Sequence, residues 1–278
     1  MIKWSRRGAR GKTLSGRRSC KDHRVSKVLT VKDVTKHFGG IAALNECSLF
    51  FERGHVTGII GPNGAGKTTL LNAMTGLVKP DAGSIEFDGQ DITGLPMHRI
   101  AAQGLVRTFQ IVRELRGLTV LESLLLCPPH QIGEKVGGAL FARSLVNRQD
   151  TANATKARKI LERLGLWRVA DQSAAALSGG QKKLLELARV LLLDPKFILL
   201  DEPAAGVSPP LLKDIIRIVK ELNGEGISFG IVEHDMHLIN EVCDDVHVLA
   251  EGTALVSGSF SDVTADQRVI DAYLGMAI

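Results

Sequence analysis

The run Gly61-Pro62-Asn63-Gly64-Ala65-Gly66-Lys67-Thr68-Thr69 sets glycines, a lysine and hydroxyls at a spacing that suits phosphate chemistry. It follows an apolar stretch, 55–60, and opens a helix-like stretch that ends near Gly76. That is the strand, glycine loop and helix of a P-loop. Glycines carry no Cβ, so the backbone can fold around phosphates with its N–H groups pointing inward. The helix N-terminus adds partial positive charge. In such a loop Lys67 can reach the β- and γ-phosphates and the Thr68 hydroxyl can hold Mg²⁺.

Leu177-Ser178-Gly179-Gly180-Gln181 offers a second anion cradle. Ser178 and Gln181 stand at the two positions of a capping box. The two glycines keep N–H groups accessible at a helix N-terminus. Read alone, the same residues are equally an ordinary helix cap. The third group is Phe197-Ile198-Leu199-Leu200-Asp201-Glu202, four apolar residues ending in two acids. A buried strand ending this way beside a P-loop places Asp201 near Mg²⁺. Glu202, one residue on, can orient or deprotonate an attacking water.

These groups require a scaffold, and its elements can be read along the chain. Strands are expected at 28–34, 48–51 and 56–60, a helix at 66–75, a strand at 84–87 and a short helix at 96–103. Between about 111 and 177 the texture turns helical, with helices at 119–126 and 152–165. The α/β texture then returns. Helices are expected at 178–193, 209–221, 236–243 and 265–274, with strands at 197–200, 227–232, 246–249 and 253–256. No internal repeat is visible.

The chain has 278 residues, enough for one large α/β domain or two intimate subdomains. No apolar run approaches the ~20 residues that span a bilayer, so a soluble or peripheral protein is expected. Cys20, Cys47, Cys127 and Cys243 are scattered, which argues against a zinc site or disulfide framework and for a reducing compartment. The net charge of +5 is misleading. Residues 1–27 hold ten Lys/Arg and one acid, a surplus of +9, so the remainder sums to −4. The body therefore lacks a nucleic-acid footprint by charge. Residues 1–27 read as a basic, disordered leader. Contact with anionic lipid and a transit peptide are its alternatives, and the latter lacks a clear amphipathic helix.

The order of P-loop, Gln110, Leu-Ser-Gly-Gly-Gln, Asp201-Glu202 and His234 resembles the nucleotide-binding subunit of ABC transporters across 28–278. The resemblance implies an α/β P-loop NTPase fold: a RecA-like mixed-sheet core with an antiparallel β subdomain (28–110 and 178–278) plus an all-helical subdomain at about 111–177. It implies ATP and Mg²⁺ as cofactors. Phe38, in His37-Phe38-Gly39-Gly40, matches the aromatic that stacks on adenine, a contact of about 0.5–1.5 kcal/mol. Gly61 to Thr69 and Ser178, Gly179, Gly180 and Gln181 match the residues around the phosphates. Gln110 matches a glutamine that senses Mg²⁺ and water beside the membrane partner. Thr68, Gln110 and Asp201 match the metal ligands. Lys67, Gln110, Glu202 and His234 match the catalytic set, with His234 facing the γ-phosphate. After Glu202 the family commonly has Asp or Asn where this chain has Ser208, which leaves that loop's cross-dimer contact open.

In the family two subunits pack head to tail, each offering its serine–glycine helix tip to the other's ATP. The implied partners are a second ATPase subunit, identical or merely related, integral membrane permeases, and indirectly a periplasmic substrate-binding protein. The implied place is the cytoplasmic face of the inner membrane. The segments Val106-Arg107-Thr108-Phe109-Gln110, Glu202-Pro203-Ala204-Ala205-Gly206, Val232-Glu233-His234-Asp235-Met236 and Ala272-Tyr273-Leu274-Gly275 resemble the ATPase of branched-chain (hydrophobic) amino acid importers. Urea or amide importers and the lipopolysaccharide-export ATPase share much of this pattern. A soluble ABC ATPase acting on ribosomes or DNA is the rival, and the chain has neither two cassettes nor paired cysteines in 111–177. Deleting residues 1–27 is expected to leave ATP hydrolysis intact. Collapse of folding or of phosphate release would make the leader structural.

Overall fold

The computed structural model describes residues 27–108, 117–129, 131–134 and 142–274. Gln110 and residues 1–26 of the predicted leader lie outside the described residues. Lys27 already belongs to the first strand and pairs with Glu52, so a truncation that spares the sheet ends at residue 26.

Two sheets form the frame. β1 (Lys27–Phe38), β2 (Ile41–Glu52), β4 (Ala82–Phe87) and β5 (Gln90–Asp91) make an antiparallel sheet in the order β2-β1-β4-β5. β1 and β2 run beyond the expected 28–34 and 48–51. Their alternation is interrupted at Asp33 and Glu46, which take positive φ and break the register, so the outer halves lose their period of two.

The second sheet has the order β10-β9-β3-β8-β7-β6. It is built from β3 (Val56–Ile60), β6 (Leu105–Arg107), β7 (Phe197–Asp201), β8 (Ser228–Val232), β9 (Asp245–Ala250) and β10 (Thr253–Gly258). Neighbours from β6 to β9 are parallel, and only β10 pairs antiparallel. Every residue of β3, β7 and β8 is buried, which is why they read as unbroken apolar runs. β6 has only Leu105 and Val106 before Arg107, too few apolar residues to show a period. Thr57 is parallel-registered to Asp245, and Leu200 to Ile231, so the carboxyl ends of β3, β7 and β8 converge. Ligands bind at that edge in open α/β sheets.

Among the described residues the α-helices are α1 (Lys67–Met74), α2 (Met97–Gln103), α3 (Val120–Leu125), α4 (Arg143–Arg163), α5 (Gly179–Leu191), α6 (Pro209–Gly224), α7 (Met236–Val242), α8 (Phe260–Ala265) and α9 (Gln267–Leu274). α4 starts well before the expected 152. Its first half is polar, and only Ala157 and Leu161 are buried, so apolar periodicity could not reveal it. The helix expected at 265–274 is present as α9, and a short helix that was not expected, α8, precedes it, the two separated at Asp266. α3 begins with a capping box in which Thr119 and Glu122 satisfy each other's backbone N–H groups.

The core has two parts. One lies between the antiparallel sheet and α1, where Phe51 meets Phe197 edge to face at 5.2 Å. The other runs from the sheet's opposite face through α5 and α6 into α3 and α4. Among the described residues, no helix is long and apolar enough to cross a membrane.

Candidate active site

The loop between β3 and α1 is shaped by its glycines. Gly61 has φ 150°, and a Cβ there would lie 2.1 Å from the Leu249 carbonyl oxygen. Gly66 has φ 97°, and a Cβ would lie 2.4 Å from the Ala43 oxygen. Any side chain at either position would drive the loop off β9 and β2. Gly66 is also the N-cap of α1, with no side-chain cap and no acid in the first turn. The helix therefore presents its backbone N–H groups and its positive end without a competing anion.

Lys67 folds back over this loop. Its Nζ donates to the carbonyls of Gly61 (2.6 Å) and Pro62 (2.9 Å) and is buried. Burial pushes its pKa below the ordinary lysine range, and the Glu202 carboxylate opposes that shift.

One cleft is lined by Ile41, Ala42, Ala43, the stretch Asn63 to Thr69, Glu202, Val232 and His234. The structure thus brings together Asn63, Gly64, Ala65, Gly66, Lys67, Thr68, Thr69, Glu202 and His234. Gly61 and Pro62 serve as carbonyl acceptors beneath it. Phe38 does not line the cleft; it is half exposed on the β1–β2 hairpin with Lys36 Nζ 5.6 Å from its ring centre. Ile41, on the same hairpin and 73% exposed, is the apolar residue that reaches the cleft wall.

Glu202 follows β7 in the left-handed region, φ 47°, where a non-glycine residue needs support. That support is on every side. Its N–H donates to Val232 (2.9 Å), and its carbonyl accepts from Lys183 Nζ (2.9 Å). Its carboxylate Oε1 lies 3.2 Å from His234 Nε2. Lys183, on α5, also reaches the Pro203 carbonyl at 3.1 Å. Burial lowers its pKa, against the pull of Glu233, Glu202 and Asp201.

Asp201 is not among the residues that line this cleft. It is buried at the end of β7, and its Oδ2 accepts from Arg107 Nη2 at 2.7 Å. Arg107, the last residue of β6, also donates from Nη1 to Asn72 of α1 at 2.6 Å. Sequence reasoning quoted Arg107 only as a flank of Gln110. The missed signal is an apolar pair ending in a charge, the counterpart of the run that ends in Asp201.

Glu233 likewise has no role that its place in the sequence reveals. It is buried, and its carboxylate accepts from the N–H groups of Ala204 (2.6 Å), His234 (2.9 Å) and Asp235 (3.3 Å). One side chain therefore staples the turn after Glu202 to the turn that carries His234. Glu233→Ala would leave these donors without their acceptor. A loss of about 1–3 kcal/mol of stability is expected, to be read from urea unfolding. Wild-type stability would contradict the staple.

Ser178 caps α5. Its Oγ accepts from the Gln181 N–H (3.3 Å), and Gln181 Oε1 accepts from the Ser178 N–H (3.0 Å). Ser178 and Gly179 are exposed, and a Cβ at Gly179 would meet nothing within 4 Å. Gly180 differs: a Cβ would lie 1.9 Å from Leu211 Cδ2 of α6, so any side chain there would require that leucine to turn aside. None of residues 178–181 lines the cleft around Lys67. Ser208 is the N-cap position of α6 and makes no side-chain cap bond.

Comparison with known proteins gives this geometry its context. The family model described as ABC transporter matches residues 44–205. The high-affinity branched-chain amino acid transport ATP-binding protein of Pseudomonas aeruginosa is 38% identical over 90% of this chain and 98% of its own length. Its namesake in Escherichia coli is 37% identical over the same shares. A solved ATP-binding cassette of an ABC transporter in its ADP conformation superposes with a TM-score of 0.76 at 38% identity, covering 90% of this chain and 99% of that one. A dimeric cassette in a post-hydrolysis state with ADP and Pi superposes with a TM-score of 0.69 at 26% identity, covering 84% and 98%. With the cleft, the glycine loop and the strand arrangement in hand, the chain belongs to the ABC transporter family, as an ATP-binding cassette that hydrolyses ATP.

Proposed function

We propose that this cassette powers import of branched-chain or other hydrophobic amino acids, working with Mg²⁺ at the cytoplasmic face of the inner membrane. The observation that carries the catalytic part is the meeting of Glu202 and His234 at 3.2 Å on the wall of the cleft that holds Lys67. The cargo rests on the names of relatives that match over nine-tenths of the chain.

In this reading Gly61 to Thr69 wrap the phosphates with backbone N–H groups. Lys67 leaves the loop carbonyls for the β- and γ-phosphates, whose negative charge opposes the effect of burial on its pKa. Ile41, on the cleft wall, packs on the adenine, and Phe38 would join it only if the β1–β2 hairpin turns toward the bound nucleotide. Glu202 accepts the proton of the attacking water, and His234 holds that carboxylate and faces the γ-phosphate. The Thr68 hydroxyl and the Asp201 carboxylate are hard oxygen donors of the kind Mg²⁺ takes, and they would hold it with Gln110. The ion would neutralise charge on the phosphate oxygens.

Ser178 to Gln181 form a capped helix tip, exposed at Ser178 and Gly179, that is not part of the lining of the chain's own cleft. We assign it to the ATP of a second cassette, identical or related, in a closed two-fold pair. Loss of the γ-phosphate opens that pair and moves the permease subunits resting on it. A periplasmic binding protein delivers the amino acid to those permeases. Nucleic acid is not among the partners.

The test is reconstitution with the permeases and the binding protein in liposomes. Leucine-loaded binding protein is expected to stimulate phosphate release and leucine uptake together. Stimulation by urea or an amide instead would overturn the cargo assignment.

A further inference from the structure

We propose that Arg107 is a positioning residue that sets the separation of the two oxygen donors assigned to Mg²⁺, Thr68 and Asp201. The inference rests on that metal assignment. Its basis is a bridge between three elements. Arg107 closes β6, and β6 is fixed to β7 by parallel pairing in which Arg107 stands opposite Leu199. The next residue tightens that edge: the Thr108 N–H donates to the Leu199 carbonyl at 2.9 Å. From this anchored base one arm of the guanidinium holds Asp201 Oδ2 at 2.7 Å and another holds Asn72 Oδ1 at 2.6 Å.

Asn72 is the informative partner. It follows Thr68 by one turn of α1, so both side chains share a face of that helix. The bridge therefore runs from the Thr68 face of α1, through a planar fork, to the carboxylate at the end of β7. A guanidinium fixes both ends in one geometry, which an ammonium on a flexible stem does not. Arg107 is not a ligand. It acts through Asp201, as outer partners of metal ligands do.

Stability does not account for the arrangement. The Arg107 and Asp201 side chains are only 8% and 4% exposed. A buried ion pair of this kind can commonly be replaced by apolar residues with no loss of stability. Here the Arg107 Nε is also buried without a partner among the described residues, a further cost that a purely structural bridge would avoid.

The test uses the full chain, with Mn²⁺ as the probe because its oxygen-donor chemistry follows that of Mg²⁺. Mn²⁺ binding to the ATP-bound protein is followed by electron paramagnetic resonance. Affinity for a fluorescent ATP analogue is measured separately in EDTA. Arg107→Lys keeps the charge and removes the fork. Asn72→Ala removes one end of the bridge and leaves the ion pair. Each is expected to weaken Mn²⁺ binding about tenfold or more and to leave metal-free nucleotide affinity unchanged. If the lysine variant does not fold, Asn72→Ala carries the test. Wild-type Mn²⁺ affinity in either folded variant overturns the inference, as does an equal loss of metal-free nucleotide binding. Asp201→Asn separates the two levels. Wild-type Mn²⁺ affinity there overturns the metal assignment beneath, whereas weak binding there with strong binding in the bridge variants overturns this inference alone.

Discussion

Glu202→Gln is expected to bind ATP with wild-type affinity and to hydrolyse it about 10²–10⁴ times more slowly, the contribution of a positioned general base. The amide is nearly isosteric and keeps the positive-φ turn, whose supports are the backbone bonds to Val232 and Lys183. What it loses is the ability to take a proton. His234 Nε2 can still meet the side-chain oxygen, so the cleft wall stays in place. Binding thus survives while turnover slows, and closed dimers accumulate because the γ-phosphate that holds them is removed only slowly. Phase-resolved phosphate release gives the rate, and size-exclusion chromatography with ATP gives the dimer. Wild-type turnover would refute the role given to Glu202.

Lys67→Ala is expected to lose about 3 kcal/mol or more of transition-state stabilisation, roughly a hundredfold or greater fall in kcat/KM. Two effects add. The phosphates lose a cation that burial has already stripped of water, so its attraction is less screened. The carbonyls of Gly61 and Pro62 also lose the donor that ties them together, and the loop loosens. Unchanged ATP hydrolysis in the alanine variant would contradict both effects.

The residues legible in the sequence are those whose job is local. The glycine loop must bend within a few residues, so its composition announces it. The capping box of Ser178 and Gln181 closes across a single turn. β7 is buried on both faces and reads as an apolar run ending in acids. The illegible parts depend on distant partners. Arg107 meets Asp201 across 94 residues, and Ala204 meets Glu233 across 29. No period or spacing encodes such pairs, and β6 is too short to have one. Gly180 shows a third case. Its place in the motif suggested backbone access for an anion, while the structure adds a packing demand from Leu211. The polar first half of α4 stayed hidden because solvent, not a core, surrounds it.

The account stands on ATP being shared between two chains, held by Lys67 in one and by the tip of α5 in the other. The direct measurement is a crystal structure of Glu202→Gln with ATP and Mg²⁺. The predicted result is a two-fold pair in which Ser178 of the partner subunit donates a hydrogen bond to the γ-phosphate lying on Lys67. A pair whose nucleotide is enclosed by one chain alone, with that serine distant from every phosphate, would contradict it.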